Sequence, residues 1–287
     1  MPPENDALLP IHVGKKLSTL DLHIQTDCDV NGQECDNISD KNDSYCELTA
    51  MYWAWKNIKK IYPNIKYIGL FHYRRFLAFD RHSPLDEYIE KFESDIKNYV
   101  ITSEVRESIK NILEDNKVIM PVCAHCACSM RMQYIKGHVR EDYEILENII
   151  KNNFNDYYPY FKNFMEHNKV SCANMFVMKY DDFVNYCEWL FSVLAIVEKN
   201  IDINNRDTYQ KRVFGFMAER LFNIWVLKNK NISYCGKYQF VADDTQVKKS
   251  SILKKLLLMA KFDLAFNIRR TKIGRKIIKI LFNKDTI

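Results

Sequence analysis

Apolar residues recur at Leu48, Met51, Tyr52, Trp55 and Ile58, the spacing of one face of an α-helix. Ser44 and Glu47 just ahead of them stand three apart, as in a capping box, and Pro63 marks the stop. Residues 66–71 (KYIGLF) form a short, bounded apolar run, which predicts a buried strand. That run leads directly into His72-Tyr73-Arg74-Arg75-Phe76. Further along, the pattern predicts helix over 84–115, 140–152, 157–167 and 180–198, and strands over 118–120 and 172–178. Residues 207–229 read as one long helix with Phe214, Met217, Ala218, Leu221 and Trp225 on one stripe. Residues 11–42 are polar, turn-rich and irregular. Strands alternating with helices predict an α/β fold, Rossmann-type, with a mostly parallel sheet flanked by helices.

Composition narrows the chemistry. The chain has 287 residues, enough for one large domain with an appendage. Only seven are glycine, and neither G-x-G-x-x-G nor a Walker motif occurs, so a nucleotide would need another phosphate grip. Nine cysteines without a signal-type N-terminus read as reduced cytosolic thiols. No run of 18 apolar residues exists to form a membrane-spanning helix. The net charge of +5 is uneven: residues 247–287 carry 12 Lys and Arg against two acids, leaving −5 for the rest. Basicity confined to the tail argues against a nucleic-acid surface on the core. In the tail, lysines and arginines interleave with leucines and isoleucines, the amphipathic pattern of a helix that lies on an anionic membrane.

The strongest chemical signal is the HYRR segment after the KYIGLF strand. Ligands of open α/β sheets sit beyond the carboxyl ends of strands. Paired guanidinium groups there suit a diphosphate, whose oxygens they can bind bidentately. On the 207–229 helix, Arg212 and Glu219 are seven apart and share a face, with Gly215 between them to let a ligand approach. Glu219 is placed to act as a general base and Arg212 to bind phosphate, or the two form a structural ion pair. Cys123, His125, Cys126 and Cys128 cluster, but their spacing lacks the two separated arms of a zinc site.

The runs DNISDKNDSYCELTAMYWAWKN, YIGLFHYRRF, NMFVMKYDDFVNYCEWLF and DTYQKRVFGFMAERLFNIW, in that order over residues 8–230, resemble one family. It is found in capsular and lipopolysaccharide gene clusters, was long catalogued as a domain of unknown function, and is grouped with GT-A glycosyltransferases. The resemblance implies a GT-A-like domain over 1–246, with the basic amphipathic tail over 247–287. It implies transfer of a sugar, galactofuranose or another hexose, from a nucleotide-diphosphate donor such as a UDP-sugar to a polyprenyl-linked glycan. The enzyme would be cytoplasmic and peripheral on the inner face of the cell membrane, with no nucleic-acid partner. The expected donor-binding set is His72, Arg74, Arg75, Asp36, Asn37 and Asn174, with Glu219 and Arg212 catalytic. His138 and Asp142 also match the family pattern, though a helix-start cap explains them equally. Members usually begin with a strand of the ILVATHK type that helps hold the nucleotide base; this chain starts just after it. Where GT-A enzymes carry a metal-binding Asp-x-Asp, this chain has His72-Tyr73-Arg74, so metal-independent transfer is expected, the arginines supplying the charge. The alternative is Mg²⁺ or Mn²⁺ on Asp27 and Asp29, with Asp36 nearby. The rival function is non-catalytic binding of carbohydrate or nucleotide-sugar in the same machinery.

Overall fold

The computed structural model describes residues 7–79, 90–93, 101–240 and 252–274. The helices that position the site are α1 (Leu48–Ile61), α2 (Ser103–Glu114), α3 (Met130–Gly137), α4 (Arg140–Asn153), α5 (Tyr158–Glu166), α6 (Tyr180–Glu198), α7 (Val213–Asn229) and α8 (Ile252–Arg270). The central sheet contains β1 (Tyr67–Leu70), β2 (Arg75–Ala78), β3 (Glu90–Glu93), β4 (Lys117–Pro121), β5 (Phe176–Lys179) and β6 (Asn231–Phe240). Its order is β1-β5-β4-β6-β2, with β3 also paired to β6.

The expected α/β architecture, a sheet flanked by helices, is what the chain adopts. The sheet is mixed rather than mostly parallel: β4 and β3 run parallel to β6, whereas β1–β5, β5–β4 and β6–β2 are antiparallel. The reason lies in the connection between β4 and β5. After β4 the chain forms a short strand, Ala124–His125, which pairs antiparallel with Lys169–Val170 just before β5. The helical excursion through α3, α4 and α5 is thereby pinched at one end of the sheet, so the chain re-enters where it left and β5 runs backwards.

Strand alternation divides the core. Val118, Met120, Phe176 and Met178 point to the main apolar cluster, with α1, α4, α5, α6 and α7; Ile119, Met175 and Val177 point to a smaller cluster with Ile109 and Leu113 of α2. Both faces of β4 and β5 are covered, hence their nearly continuous apolar sequences. By contrast β1 pairs only with β5 among the described residues and is half-exposed, so it is an edge strand and not the buried one expected.

Four other expectations change. The 84–115 helix is limited to α2, whose N-cap Thr102 accepts from the Val105 N–H (3.3 Å), and Glu90–Glu93 is strand; 80–89 and 94–100 lie outside the described residues. The 172–178 strand starts only at Phe176, because Ala173 and Asn174 turn the backbone through positive φ (78° and 47°). The 207–229 helix is interrupted at Arg212, which separates Thr208–Lys211 from α7. Ser44 and Glu47 form no capping box: the Ser44 hydroxyl donates to the Lys41 carbonyl, and Cys46 breaks the chain at φ 54° ahead of α1.

Of the tail, 247–251 and 275–287 lie outside the described residues, including Lys248, Lys249, Arg275 and Lys276. The described part is α8, which touches the core through the Ala124–His125 strand.

Candidate functional site

The interruption at Cys46 has a consequence beyond local geometry. Freed from a capping role, Glu47 turns into a cavity of about 280 Å³ at the N-terminal end of α7. Arg212, Gly215, Phe216 and Glu219 line it from one helical face, at the spacing of successive turns. Cys46 and Glu47 close a second side, and His72, Tyr73, Arg74, Arg75 and Ala173 a third.

The HYRR segment is a tight turn. His72 and Arg75 exchange backbone hydrogen bonds in both directions (3.0 and 3.1 Å), so β1 doubles back into β2 and Tyr73 and Arg74 project from the tip. Tyr73 is two-thirds exposed, and the Arg74 guanidinium lies 4.9 Å from its ring centre. Neither Arg74 nor Arg75 has an acidic partner among the described residues. The His72 ring reaches back: Nε2 lies 2.5 Å from the Ala173 carbonyl, which can only accept, so that nitrogen carries the proton. Arg212 donates from Nε to Cys46 Sγ (3.2 Å). Burial pushes the Cys46 thiol above its ordinary range, with the Arg212 hydrogen bond opposing it.

Two carboxylates face this cationic wall, and they are held differently. Glu219 is fully engaged: Oε1 accepts from the Ala173 N–H (2.9 Å) and Oε2 from the buried Arg220 (2.9 Å). Glu47 accepts at Oε1 from Asn174 Nδ2 (2.7 Å), and the same oxygen is 4.0 Å from His72 Nε2. Its second oxygen has no hydrogen bond within the protein among the described residues. Asn174 is buried and does not itself line the cavity; it acts on the site by positioning Glu47.

Thus His72, Arg74, Arg75, Arg212 and Glu219 come together from two separate segments, and Glu47 joins them from a third. Asp36 and Asn37 do not join them. The Asp36 carboxylate accepts from Tyr52 of α1 (3.1 Å), and the Asn37 side chain closes a turn onto the Ser39 N–H and the Cys35 carbonyl. Asp27 and Asp29 are also elsewhere. Asp27 is fully buried, its oxygens accepting from the Gly14 and Lys15 N–H groups and from Ser39; Asp29 accepts from the Gly32 N–H and from Thr26. Both bind their own loop together. Asp142 forms a buried bidentate pair with Arg206 (2.6 and 2.7 Å), and His138 stacks on Phe216 behind the cavity. Cys123 meets the Tyr234 hydroxyl, and His125 meets Asp263 of α8. Gly215 lines the cavity, and a Cβ there would lie 3.2 Å from Cys46 Sγ, so the glycine also lets the Cys46 segment pack against α7.

Cys46, Glu47, Tyr73, Ala173 and Phe216 are the lining residues that sequence reasoning did not assign to the site. Only Glu47 carried a signal, and its capping-box spacing pointed elsewhere. A larger, shallow depression of about 710 Å³ along α2 is lined by Glu104, Glu107 and Asp115, which would repel an anion.

Residues 1–230 match the model of a family described as a domain of unknown function, DUF4422. The fold is similar to the apo structure of WbbM, a bifunctional glycosyltransferase, with a TM-score of 0.67 and 30% sequence identity. The match covers 83% of this chain and 43% of that one, so the chain spans under half of WbbM. No curated protein matches.

Proposed function

The chain belongs to the DUF4422 family, and from that premise we propose that it is a glycosyltransferase that moves a hexose from a nucleotide-diphosphate sugar to a polyprenyl-linked glycan. Galactofuranose on UDP is one donor of this class, and capsule or O-antigen is the product class. The observation that carries the reading is the composition of the cavity. Three arginines without acidic partners among the described residues face two carboxylates in a space of about 280 Å³. That is the charge arrangement of a site that binds an anionic leaving group and removes a proton.

In this reaction Arg74, Arg75 and Arg212 hold the donor diphosphate, and the positive end of the α7 dipole adds to their field. An acceptor hydroxyl attacks the anomeric carbon, the bond from that carbon to the phosphate oxygen breaks, and its electron pair leaves on the diphosphate. The hydroxyl proton passes to a carboxylate. The geometry favours Glu47 as that base over Glu219, because both Glu219 oxygens already accept a hydrogen bond, one from the Ala173 N–H and one from Arg220, whereas one Glu47 oxygen accepts none among the described residues. Glu219 then serves to hold the Ala173 turn. The arginines stabilise the developing charge, so transfer proceeds without a divalent cation. The acceptor places the reaction at the cytoplasmic membrane face; no described helix is long and apolar enough to cross a bilayer.

The test is calorimetric titration with UDP and other nucleoside diphosphates, followed by incubation with UDP-sugars and a polyprenyl-linked acceptor, with products read by mass spectrometry. Binding plus a mass gain of one hexose on the acceptor is expected. Failure to bind any nucleoside diphosphate would overturn the reading; binding without turnover would make the protein a nucleotide-sugar-binding component.

A further inference from the structure

Helix α8 has two faces of different character. The inner face is fixed to the core. Phe266 is buried, and the Asp263 carboxylate accepts from Asn168 Nδ2 (2.8 Å) and meets His125 Nδ1 (2.9 Å). Arg269 donates to the Ala127 carbonyl (3.0 Å), a second fixed point further along the helix. Together these contacts set the rotation of the helix about its axis.

With the rotation set, the outer face is apolar. Leu253, Leu257, Ala260, Leu264 and Ile268 follow one another at four, three, four and four residues, within about 80° of arc at 100° per residue. All are exposed, Leu253 at 67%, Leu257 and Leu264 at 62% and Ile268 at 43%. Four large aliphatic side chains in one exposed line, opposite a docked face, form a contiguous patch of the kind that marks an interaction surface. The exposed Lys261 borders the line on one side, and the exposed Lys272 follows just past the helix, whereas the single acid over 252–274, Asp263, is held by the core.

We propose that this outer face is a membrane-docking surface, in which the leucine line enters the headgroup and acyl boundary of an anionic bilayer while the flanking lysines meet lipid phosphates. Charge selects this occupant. A second copy of α8 laid on the same line would bring Lys261 against like charge while Asp263 of each helix stays turned to its own core, whereas an anionic lipid surface attracts both Lys261 and Lys272. The charged residues of α8 exclude a spanning role but suit a helix lying in the interface plane. The inference rests on the proposed transfer only in giving the enzyme a route to a lipid-linked acceptor; the surface itself follows from α8 alone.

The experiment uses the full chain and sucrose-loaded vesicles of three parts phosphatidylcholine to one part phosphatidylglycerol, compared with pure phosphatidylcholine. Native protein should co-sediment with the anionic vesicles, less so as salt is raised, and far less with the zwitterionic ones. The double substitution Leu257→Glu/Leu264→Glu should lower the partition coefficient at least about tenfold, since it removes two inserted side chains and adds two repelled charges. A second variant, Lys261→Glu/Lys272→Glu, should lower it by a similar factor on anionic vesicles and change nothing on zwitterionic ones. All four positions face solvent, so thermal melts of both variants should match the native protein. Unchanged partitioning in the leucine variant would overturn the proposal. So would analytical ultracentrifugation showing a native dimer that this variant splits, which would make the face an interface between copies. Neither measurement needs turnover, so loss of the transfer reading would leave this result standing, and the converse.

Discussion

The assignment of base and positioning roles to Glu47 and Glu219 can be tested by one isosteric change at each. In Glu47→Gln the side-chain carbonyl keeps the hydrogen bond from Asn174 Nδ2, and the lost oxygen is the one without a protein donor. No ion pair closer than the 4.0 Å approach to His72 is broken, so the melting temperature should stay within about 2 °C of native. Turnover should fall by roughly 10²–10⁴-fold, the range for a positioned acid–base group, with nucleotide affinity nearly unchanged. Glu219→Gln inverts the pattern. Its partner Arg220 is 5% exposed, and the change leaves that guanidinium on the neutral Phe216 carbonyl and Gln133 alone. Breaking a fully buried pair costs about 3–5 kcal/mol; a quarter-exposed carboxylate replaced by an amide that keeps one hydrogen bond should cost about 2–3 kcal/mol. In a chain of this size that lowers the melting temperature by roughly 5–10 °C. Differential scanning fluorimetry and single-turnover transfer at a temperature where both variants are folded give the two readouts. Native turnover in Glu47→Gln, or lost turnover at unchanged stability in Glu219→Gln, would refute the assignment and return the base role to Glu219.

Arg75→Ala and Arg74→Ala should each weaken nucleoside diphosphate binding by about 1.5–3 kcal/mol, read by calorimetry; unchanged affinity in both would remove them from the donor site. Transfer should persist in excess EDTA, and abolition with rescue by Mn²⁺ would show that a cation takes part. Burial, with Arg220 nearby, pushes the His138 pKa down to about 4 against an ordinary 6.5, a Gln210 hydrogen bond opposing it. Protonation therefore favours the unfolded chain. The His138 contribution is complete above pH 6.5, is lost as pH falls towards 4, and is flat below; urea titrations across that window should show a slope that His138→Phe reduces. Gly215→Ala places a Cβ against Cys46 and should displace Glu47, so turnover should fall more than stability, by comparison of kcat with the melting midpoint.

Much of the framework was legible because it is regular. Residues 180–198 read as α6 to the residue, and 140–152 and 118–120 differ from α4 and β4 by a residue or two, since period and caps act locally. Strand direction was not legible: the pinch between Ala124–His125 and Lys169–Val170 joins segments far apart in sequence and leaves no local mark. The site divided along the same line. Arg212 with Glu219, and the HYRR turn, were visible as helical spacing and as a strand end. Glu47 was not, because Ser44 and Glu47 carry a capping pattern that the chain does not use. Asp36, Asn37, Asp27 and Asp29 looked like ligands because acidic and amide side chains in a polar loop serve turns and cations alike; here they hold the loop.

The same irregularities that hid the site from the sequence build it. Cys46, Ala173 and Asn174 all take positive φ without being glycine, at about 1–3 kcal/mol of strain each. Each is adjacent to or part of the cavity wall, and each is offset by a side chain from another segment. The Ala173 N–H is held by Glu219 and its carbonyl by His72; Asn174 is held through Glu47; and the Cys46 sulfur is held by Arg212. The carboxylates and cations of the site are therefore also the clamps on its strained turns. Removing any one of them loosens a turn that positions another. It follows that effects on turnover at Glu47, His72 and Asn174 should be non-additive, with double variants little worse than the worst single one. Side chains that merely lined a preformed cavity would give additive losses.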